Sequence, residues 1–136
     1  MQVQDVMSNR VICVAPDDNA IAAAKLMSQH NIGAVPVAEG NQIKGMLTDR
    51  DIVLRCVAIG KNPGKVKASD IMSTGAVTLA PAQPLKDAID TMASEQIRRL
   101  PVVDGGKLTG IVSLCDIARA NKTPEVAQAL SEISLP

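Results

Sequence analysis

The feature that most limits what this chain can fold into is an internal repeat. Sliding the 136-residue sequence by 65 positions lays Asp5-Val6-Met7-Ser8 on Asp70-Ile71-Met72-Ser73. The same shift lays Ala15-Pro16 on Ala80-Pro81, Met27 on Met92 and Pro36-Val37 on Pro101-Val102. It also lays Gly45 on Gly110 and Asp51-Ile52 on Asp116-Ile117, with no gap between Asp5 and Ile52. A period of this length marks one supersecondary unit used twice. The repeats run over 3–60 and 66–120, and Gly60-Lys61-Asn62-Pro63-Gly64-Lys65 reads as the break between them. In the tail, 121–136, Thr123-Pro124-Glu125 can cap a short helix that carries Val126, Leu130 and Ile133 on one stripe.

Each repeat has the same plan. Val11-Ile12-Cys13-Val14 and Ala76-Val77-Thr78-Leu79 are short β-prone runs ended by Ala-Pro. The cluster Asp17-Asp18-Asn19 offers N-caps for a helix to about Gln29, with Ala20, Ala23, Ala24 and Met27 at helical spacing. Leu85, Ala88, Ile89 and Met92 follow the same spacing behind Pro84. Two strands come next, Ala34–Val37 with Gln42–Leu47 and Arg99–Val103 with Lys107–Val112, joined by Gly-bearing turns. Pro36 and Pro101, in the middle of their strands, require an edge or a gap in the pairing. The expected class is α/β: β-α-β-β-α twice, mixing parallel and antiparallel pairing.

The second helix of each repeat opens on a motif that can carry chemistry. Gly45-Met46-Leu47-Thr48-Asp49-Arg50-Asp51 and Gly110-Ile111-Val112-Ser113-Leu114-Cys115-Asp116 both read glycine, two apolar residues, a hydroxyl, two variable positions, aspartate. A hydroxyl at the N-cap with a carboxylate three residues on has the spacing of a capping box. The same helix start favours an anion through its free N–H groups and dipole. An aspartate one turn in could accept hydrogen bonds from a vicinal diol such as a ribose.

Composition excludes several functions. Fourteen basic and fourteen acidic residues cancel, so no net field draws in nucleic acid or an anionic membrane. With no Phe, Tyr or Trp there is no platform for stacking single-stranded bases. The beginning of the chain shows no basic region followed by an apolar run, and no stretch approaches the ~20 apolar residues of a membrane span. Cys13, Cys56 and Cys115 lack paired spacing and read as buried thiols in a reducing cytoplasm, without zinc or a disulfide framework. His30, alone of its kind, falls at a helix end and reads as a surface residue, and the Met7/Met72 and Met27/Met92 pairs read as core fillers. Asp49 and Asp51 diverge on a helix, so no metal site is expected.

The Asp-hydrophobic-Met-Ser opening, the hydrophobic-Pro-Val strand leading into an acidic-Gly turn, and the Gly-h-h-(Thr/Ser)-x-x-Asp ending together resemble tandem CBS domains of the stand-alone bacterial or archaeal type. The resemblance covers residues 3 to about 120. It implies two repeats packed about a pseudo-twofold axis as one module, with clefts that bind adenosine nucleotides, and frequent pairing into a homodimer. Carried over by position, Asp51 and Asp116 would hold ribose hydroxyls, and Thr48 and Ser113 would contact phosphate. Adenine would lie against Ile12 or Val77 and against Ala34, Val35 and Pro36, or Leu100 and Pro101. Arg50, Arg98 and Arg99 are the basic candidates for the phosphates, since a guanidinium can bind them bidentately. The counterparts of Arg98-Arg99 are Gly33-Ala34, and that of Arg50 is Cys115, so the two repeats differ in charge.

The expected function is therefore a non-catalytic, cytoplasmic regulatory module that binds AMP, ADP, ATP or a related adenosine ligand and needs no cofactor. Its partners would be the nucleotide, a second copy and an unidentified protein target. A constitutive homodimerisation scaffold with unoccupied clefts is the alternative. An enzyme is disfavoured because the sequence offers no nucleophile–base pair.

Overall fold

The computed structural model describes residues 1–120 together with Pro124, Ala127 and Gln128. The expected tail helix, with its Thr123 cap and its Val126, Leu130 and Ile133 stripe, lies outside the described residues. In chain order the elements are α1 (Val3–Val6), α2 (Ala20–His30), β1 (Ala34–Glu39), β2 (Gln42–Thr48) and α3 (Asp49–Ile52). A π-helical turn (Val53–Val57) follows, then α4 (Ala68–Ile71), α5 (Leu85–Glu95), β3 (Arg99–Asp104), β4 (Lys107–Ser113) and α6 (Leu114–Ala120). The chain forms two compact units: Ile12–Ala76, and Met1–Val11 together with the chain from Val77 onward. Compact unit and sequence repeat are thus out of step. The Asp5–Ser8 opening belongs in space with the second hairpin, and the Asp70–Ser73 opening with the first.

In the first unit, β1 and β2 form an antiparallel hairpin in which Ala34 faces Thr48 and Pro36 faces Met46, with a bulge between Val37 and Ala38. Met46 spends both its N–H and its C=O on Ser73, on the far side of β2. Pro36 therefore sits opposite a residue that asks nothing of it across the hairpin, and its missing N–H leaves no partner stranded. Its carbonyl is used outward, accepting the Val14 N–H at 3.0 Å. The expected first strand is reduced to that contact and one parallel bridge, Val14 to Val37; no ladder of its own forms. Ala-Pro directly after Val14 stops the pairing before it can extend.

The second unit repeats this arrangement with other residues. Pro101 faces Ile111, Ile111 exchanges both backbone bonds with Ser8, and Leu79 bridges Val102 in parallel. Here too the expected strand Ala76–Leu79 is a single bridge, for the same reason: Ala80-Pro81 follows it. The β3–β4 turn uses Gly105 and Gly106 at φ of 57° and 81°, the double left-handed geometry of a tight hairpin.

Helices seal one side of each hairpin. Asn19 caps α2 by accepting the Ala22 N–H at 2.8 Å, and Pro84 precedes α5 without a side-chain cap. Both helices end on a left-handed residue, Asn31 and Gln96, at equivalent positions. Ala20, Ala23 and Met27 pack with Val14, Val35, Val37, Leu47, Ile52, Cys56 and Ile71. Leu85, Ala88, Ile89 and Met92 pack with Val3, Leu79, Leu100, Val102, Val112 and Ile117. Ala24 departs from the expected stripe and is exposed, because α2 leans on Leu26 where α5 leans on Ile89. Of the three cysteines only Cys56 is buried; Cys13 alternates outward between Ile12 and Val14, and Cys115 faces solvent on the first turn of α6.

The paired glycines explain the Met-Ser pair of the repeated opening. A Cβ on Gly45 would stand 2.5 Å from the Ser73 carbonyl oxygen and 2.8 Å from Met72 Sδ. On Gly110 it would meet Met7 Sδ at 2.6 Å and the Ser8 carbonyl at 3.0 Å. Each glycine is the flat place against which the Met-Ser segment lies to close the hairpin edge. Gly45→Ala is expected to lower the unfolding free energy by about 1–3 kcal/mol, the usual cost of overpacking. Gly110→Ala should cost less, because its closest neighbour is the end of a flexible side chain. Urea denaturation of the two variants checks the order.

Candidate functional site

Each hairpin delivers its last residue, Thr48 or Ser113, directly to a helix start. In the first unit the Thr48 hydroxyl accepts the Asp51 N–H at 3.0 Å, and Asp51 Oδ2 accepts the Thr48 N–H at 3.0 Å. In the second, Ser113 Oγ accepts the Asp116 N–H at 3.0 Å and Asp116 Oδ2 accepts the Ser113 N–H at 3.1 Å. The expected capping boxes are present at both positions, with matching geometry. Each carboxylate is fixed by Oδ2; Oδ1 of Asp116 has no partner among the described residues, while Oδ1 of Asp51 faces Arg55. Thr48 is half-buried whereas Ser113 is only 6% exposed, so the second hydroxyl is the less accessible of the two.

The remaining candidates of the first unit come close through the sheet. Ala34 lies across the hairpin from Thr48, and the segment carrying Ile12 runs beside β1 through the Val14–Pro36 bond. Ala34 and Ile12 are half-buried, so their side chains reach the surface. Val35 and Pro36 are buried, Val35 within the core, and offer a ligand only backbone. In the second unit Arg99 lies across from Ser113, while Leu100 and Pro101 are buried in turn and Val77 is 41% exposed. Arg50 and Arg98 are exposed and Arg99 is half-buried; the three guanidinium groups pair with no described residue.

Two residues of this neighbourhood fall outside the expected site, Asp49 being weighed there only as a metal ligand. Arg55, one helical turn beyond Asp51, places Nε 3.9 Å from Asp51 Oδ1 and donates through Nη1 to the Ile71 and Met72 carbonyls at 3.2 and 3.3 Å. It ties the end of α4 to the helix that carries the carboxylate. The i,i+4 spacing of an acid and a base was the available signal. Asp49 is the other: its N–H donates to the Gly33 carbonyl at 2.9 Å, and its Oδ1 accepts the Arg50 N–H at 2.8 Å. Asp49 and Asp51 do turn to different neighbours, and among the described residues no group of three His, Cys, Asp or Glu could hold a metal ion. His30 is exposed in the last turn of α2. No described helix is long and apolar enough to cross a membrane.

The caps themselves are testable. Thr48→Ala and Ser113→Ala should each destabilise by about 1 kcal/mol through the lost N-cap, and Thr48→Ser should recover most of it. Denaturant midpoints at constant slope measure this.

A family model described as CBS domain matches residues 3–57 and 68–122. The CBS domain-containing protein YhcV of Bacillus subtilis is 48% identical over 133 residues, covering 97% of this chain and 94% of that protein. Among solved structures, Hypoxic Response Protein I with two coordinated zinc ions superposes with a TM-score of 0.82 at 34% identity. That match covers 89% of this chain and 99% of the other. The CBS domain pair of protein MJ0100, in complex with 5′-methylthioadenosine and S-adenosyl-L-methionine, gives 0.76 at 28%, covering 88% and 94%. Two family matches that together span most of the sequence, and a hairpin-to-capped-helix motif built twice, lead to one assignment: the chain belongs to the CBS domain family and carries two copies of the domain.

Proposed function

We propose that this protein is a non-catalytic regulatory module that binds adenosine-containing ligands. The observation behind the reading is the pair of capping boxes, each holding an aspartate by Oδ2 and leaving Oδ1 outside the box, unpartnered among the described residues in Asp116 and beside the Arg55 guanidinium in Asp51. Asp51 and Asp116 receive ribose hydroxyls on Oδ1. Thr48 and Ser113 stand at the helix start where the ligand's 5′ substituent arrives, and a phosphate there gains from the dipole. Adenine lies against Ile12, Ala34 and the Val35–Pro36 backbone in the first unit, and against Val77 and the Leu100–Pro101 backbone in the second. Arg50, Arg98 and Arg99, all without partners among the described residues, are the cations for the phosphates. The adenosyl ligands of the MJ0100 pair support the class of ligand. Binding shifts the protein's conformational population only by the difference in affinity between its states, and that difference is the signal passed to a target protein.

A homodimer is part of this reading, and a scaffold role is its rival. The π-helical turn and the residues after it expose Val53, Leu54, Val57 and Ile59, between 47% and 60% each. These four exposed apolar residues within seven positions favour a second copy as their cover.

The protein lacks Tyr and Trp, so it should be nearly transparent at 280 nm. A 260 nm band that survives dialysis and leaves on denaturing ultrafiltration is the expected sign of bound nucleotide. Asp51→Ala and Asp116→Ala should each weaken adenosine-ligand binding by about 1.5–3 kcal/mol, the value of hydrogen bonds to a charged group. Calorimetry that finds both variants unchanged removes the ribose assignment. Arg99→Ala should weaken AMP and ATP while sparing adenosine. If no adenosine ligand binds, and sedimentation shows a dimer that Leu54→Glu dissolves, the scaffold reading stands in its place.

A further inference from the structure

The two helix starts share the same capping box and differ in charge. In the first unit the N–H groups of Asp49, Arg50 and Asp51 are all taken internally, by the Gly33 carbonyl, by Asp49 Oδ1 and by the Thr48 hydroxyl. The Asp49 carboxylate lies over Gly33: a Cβ there would stand 3.1 Å from Asp49 Oδ2. Gly33 is the residue that leaves room for this. In the second unit the same two positions hold Arg98 and Leu114, joined by the same backbone bond of 2.8 Å. A glycine–aspartate pair has been exchanged for an arginine–leucine pair.

The charges follow suit. Around the first helix start Asp49, Arg50, Asp51 and Arg55 cancel, and Arg55 is already engaged by Asp51 and two carbonyls. Around the second, Arg98, Arg99 and Asp116 leave one net positive charge, with both guanidinium groups free of partners among the described residues. An anion brought to the Thr48 helix start meets a carboxylate already occupying the N–H it would use.

We infer that Asp49 is a specificity-determining residue. It sets the Thr48–Asp51 position against 5′-phosphorylated adenosine and in favour of uncharged or cationic adenosyl ligands, while Ser113–Asp116 takes the phosphorylated ones. The inference rests on the adenosine reading above and divides it into two ligand classes, one per unit. Thr48 still meets the 5′ substituent, but an uncharged or cationic one.

Two probes separate the outcomes, AMP and the uncharged 5′-methylthioadenosine, titrated by calorimetry. In Asp116→Ala, which leaves the first position alone, methylthioadenosine should bind at least about fivefold tighter than AMP, the scale of one near charge in a wet site. Adding Asp49→Asn should raise AMP affinity by about the same factor and leave methylthioadenosine unmoved. The discrimination should shrink as salt is raised. In Asp51→Ala the remaining position should prefer AMP, and Asp49→Asn should change nothing there. Asp49 is exposed and caps only its neighbour's N–H, so the variant should melt like its parent. An AMP-to-methylthioadenosine ratio that Asp49→Asn does not shift overturns the assignment and leaves the adenosine reading standing. Failure of the unmutated protein to bind either probe brings down that reading and this inference with it.

Discussion

The structure depends on the closure of each hairpin edge by a distant Met-Ser segment. Two strands alone are marginal in water and expose a row of backbone groups that invites a foreign strand. Here Ser73 takes both backbone groups of Met46, and Ser8 takes both of Ile111. The contact is possible only because Gly45 and Gly110 have no side chain, and it falls directly across the sheet from the prolines. The two constraints fit together. Where Met46 and Ile111 bond outward, their partners across the hairpin need no N–H, and proline costs nothing there. On the other edge Val14 and Leu79 close β1 and β3 with single parallel bridges. A two-stranded sheet thereby behaves as a protected four-segment one, stiff enough to hold its last residue in place.

That stiffness is what makes the helix start usable. Thr48 and Ser113 end strands whose register is pinned by the hairpin, so their hydroxyls and the following aspartates are held before any ligand arrives. The capping box completes the preorganisation: the carboxylate has lost one degree of freedom to a backbone N–H, and its second oxygen is presented at a set angle. A ligand that uses this oxygen has little ordering left to do, which is where affinity is commonly lost. Arg55 extends the same principle to the segment closing the hairpin, since it reaches from beside Asp51 to the carbonyls at the end of α4. The Asp51 carboxylate and the seating of the Ile71–Met72 carbonyls therefore share one guanidinium.

Most of this was legible in the sequence because it rests on short-range rules. The 65-residue register, the Asn19 cap, the hairpins and both capping boxes follow from spacing and residue chemistry. The failures share a cause. The first strands of the repeats have the composition of strands but only one pairing partner within reach, so Val14 and Leu79 make bridges instead of ladders. The one-turn helices α1 and α4 are too short to carry a period. The π-helical turn, in which Ala58 donates to Val53 five residues back, has no mark in residue type at all. Grouping in space was beyond the reach of spacing. Periodicity locates a repeat along the chain, but which hairpin its opening segment covers is a long-range choice, and Asp5–Ser8 covers the second. Cys13 and Cys115 were misplaced because thiol burial follows the local face of the chain, while hydrophobicity alone predicts an interior.

A duplicated unit also separates what a fold requires from what a site has been free to change. Gly45 and Gly110, Pro36 and Pro101, Met27 and Met92, Ile52 and Ile117 are identical because each answers a contact present in both units. Thr48 and Ser113 differ only within the class that can cap. Among the positions that diverge in charge are Gly33 against Arg98, Asp49 against Leu114 and Arg55 against Ala120, with Leu114 packed into the core where Asp49 is exposed. All three surround the same helix start. Charge diverges on α2 and α5 as well, at Ile21 against Lys86, Ala22 against Asp87 and Lys25 against Asp90, as a solvated surface allows. What sets the helix starts apart is where the change falls: beside Asp51 the neighbours are Gly33 and Asp49, beside Asp116 they are Arg98 and Leu114, so two equivalent capping boxes stand in unlike charge.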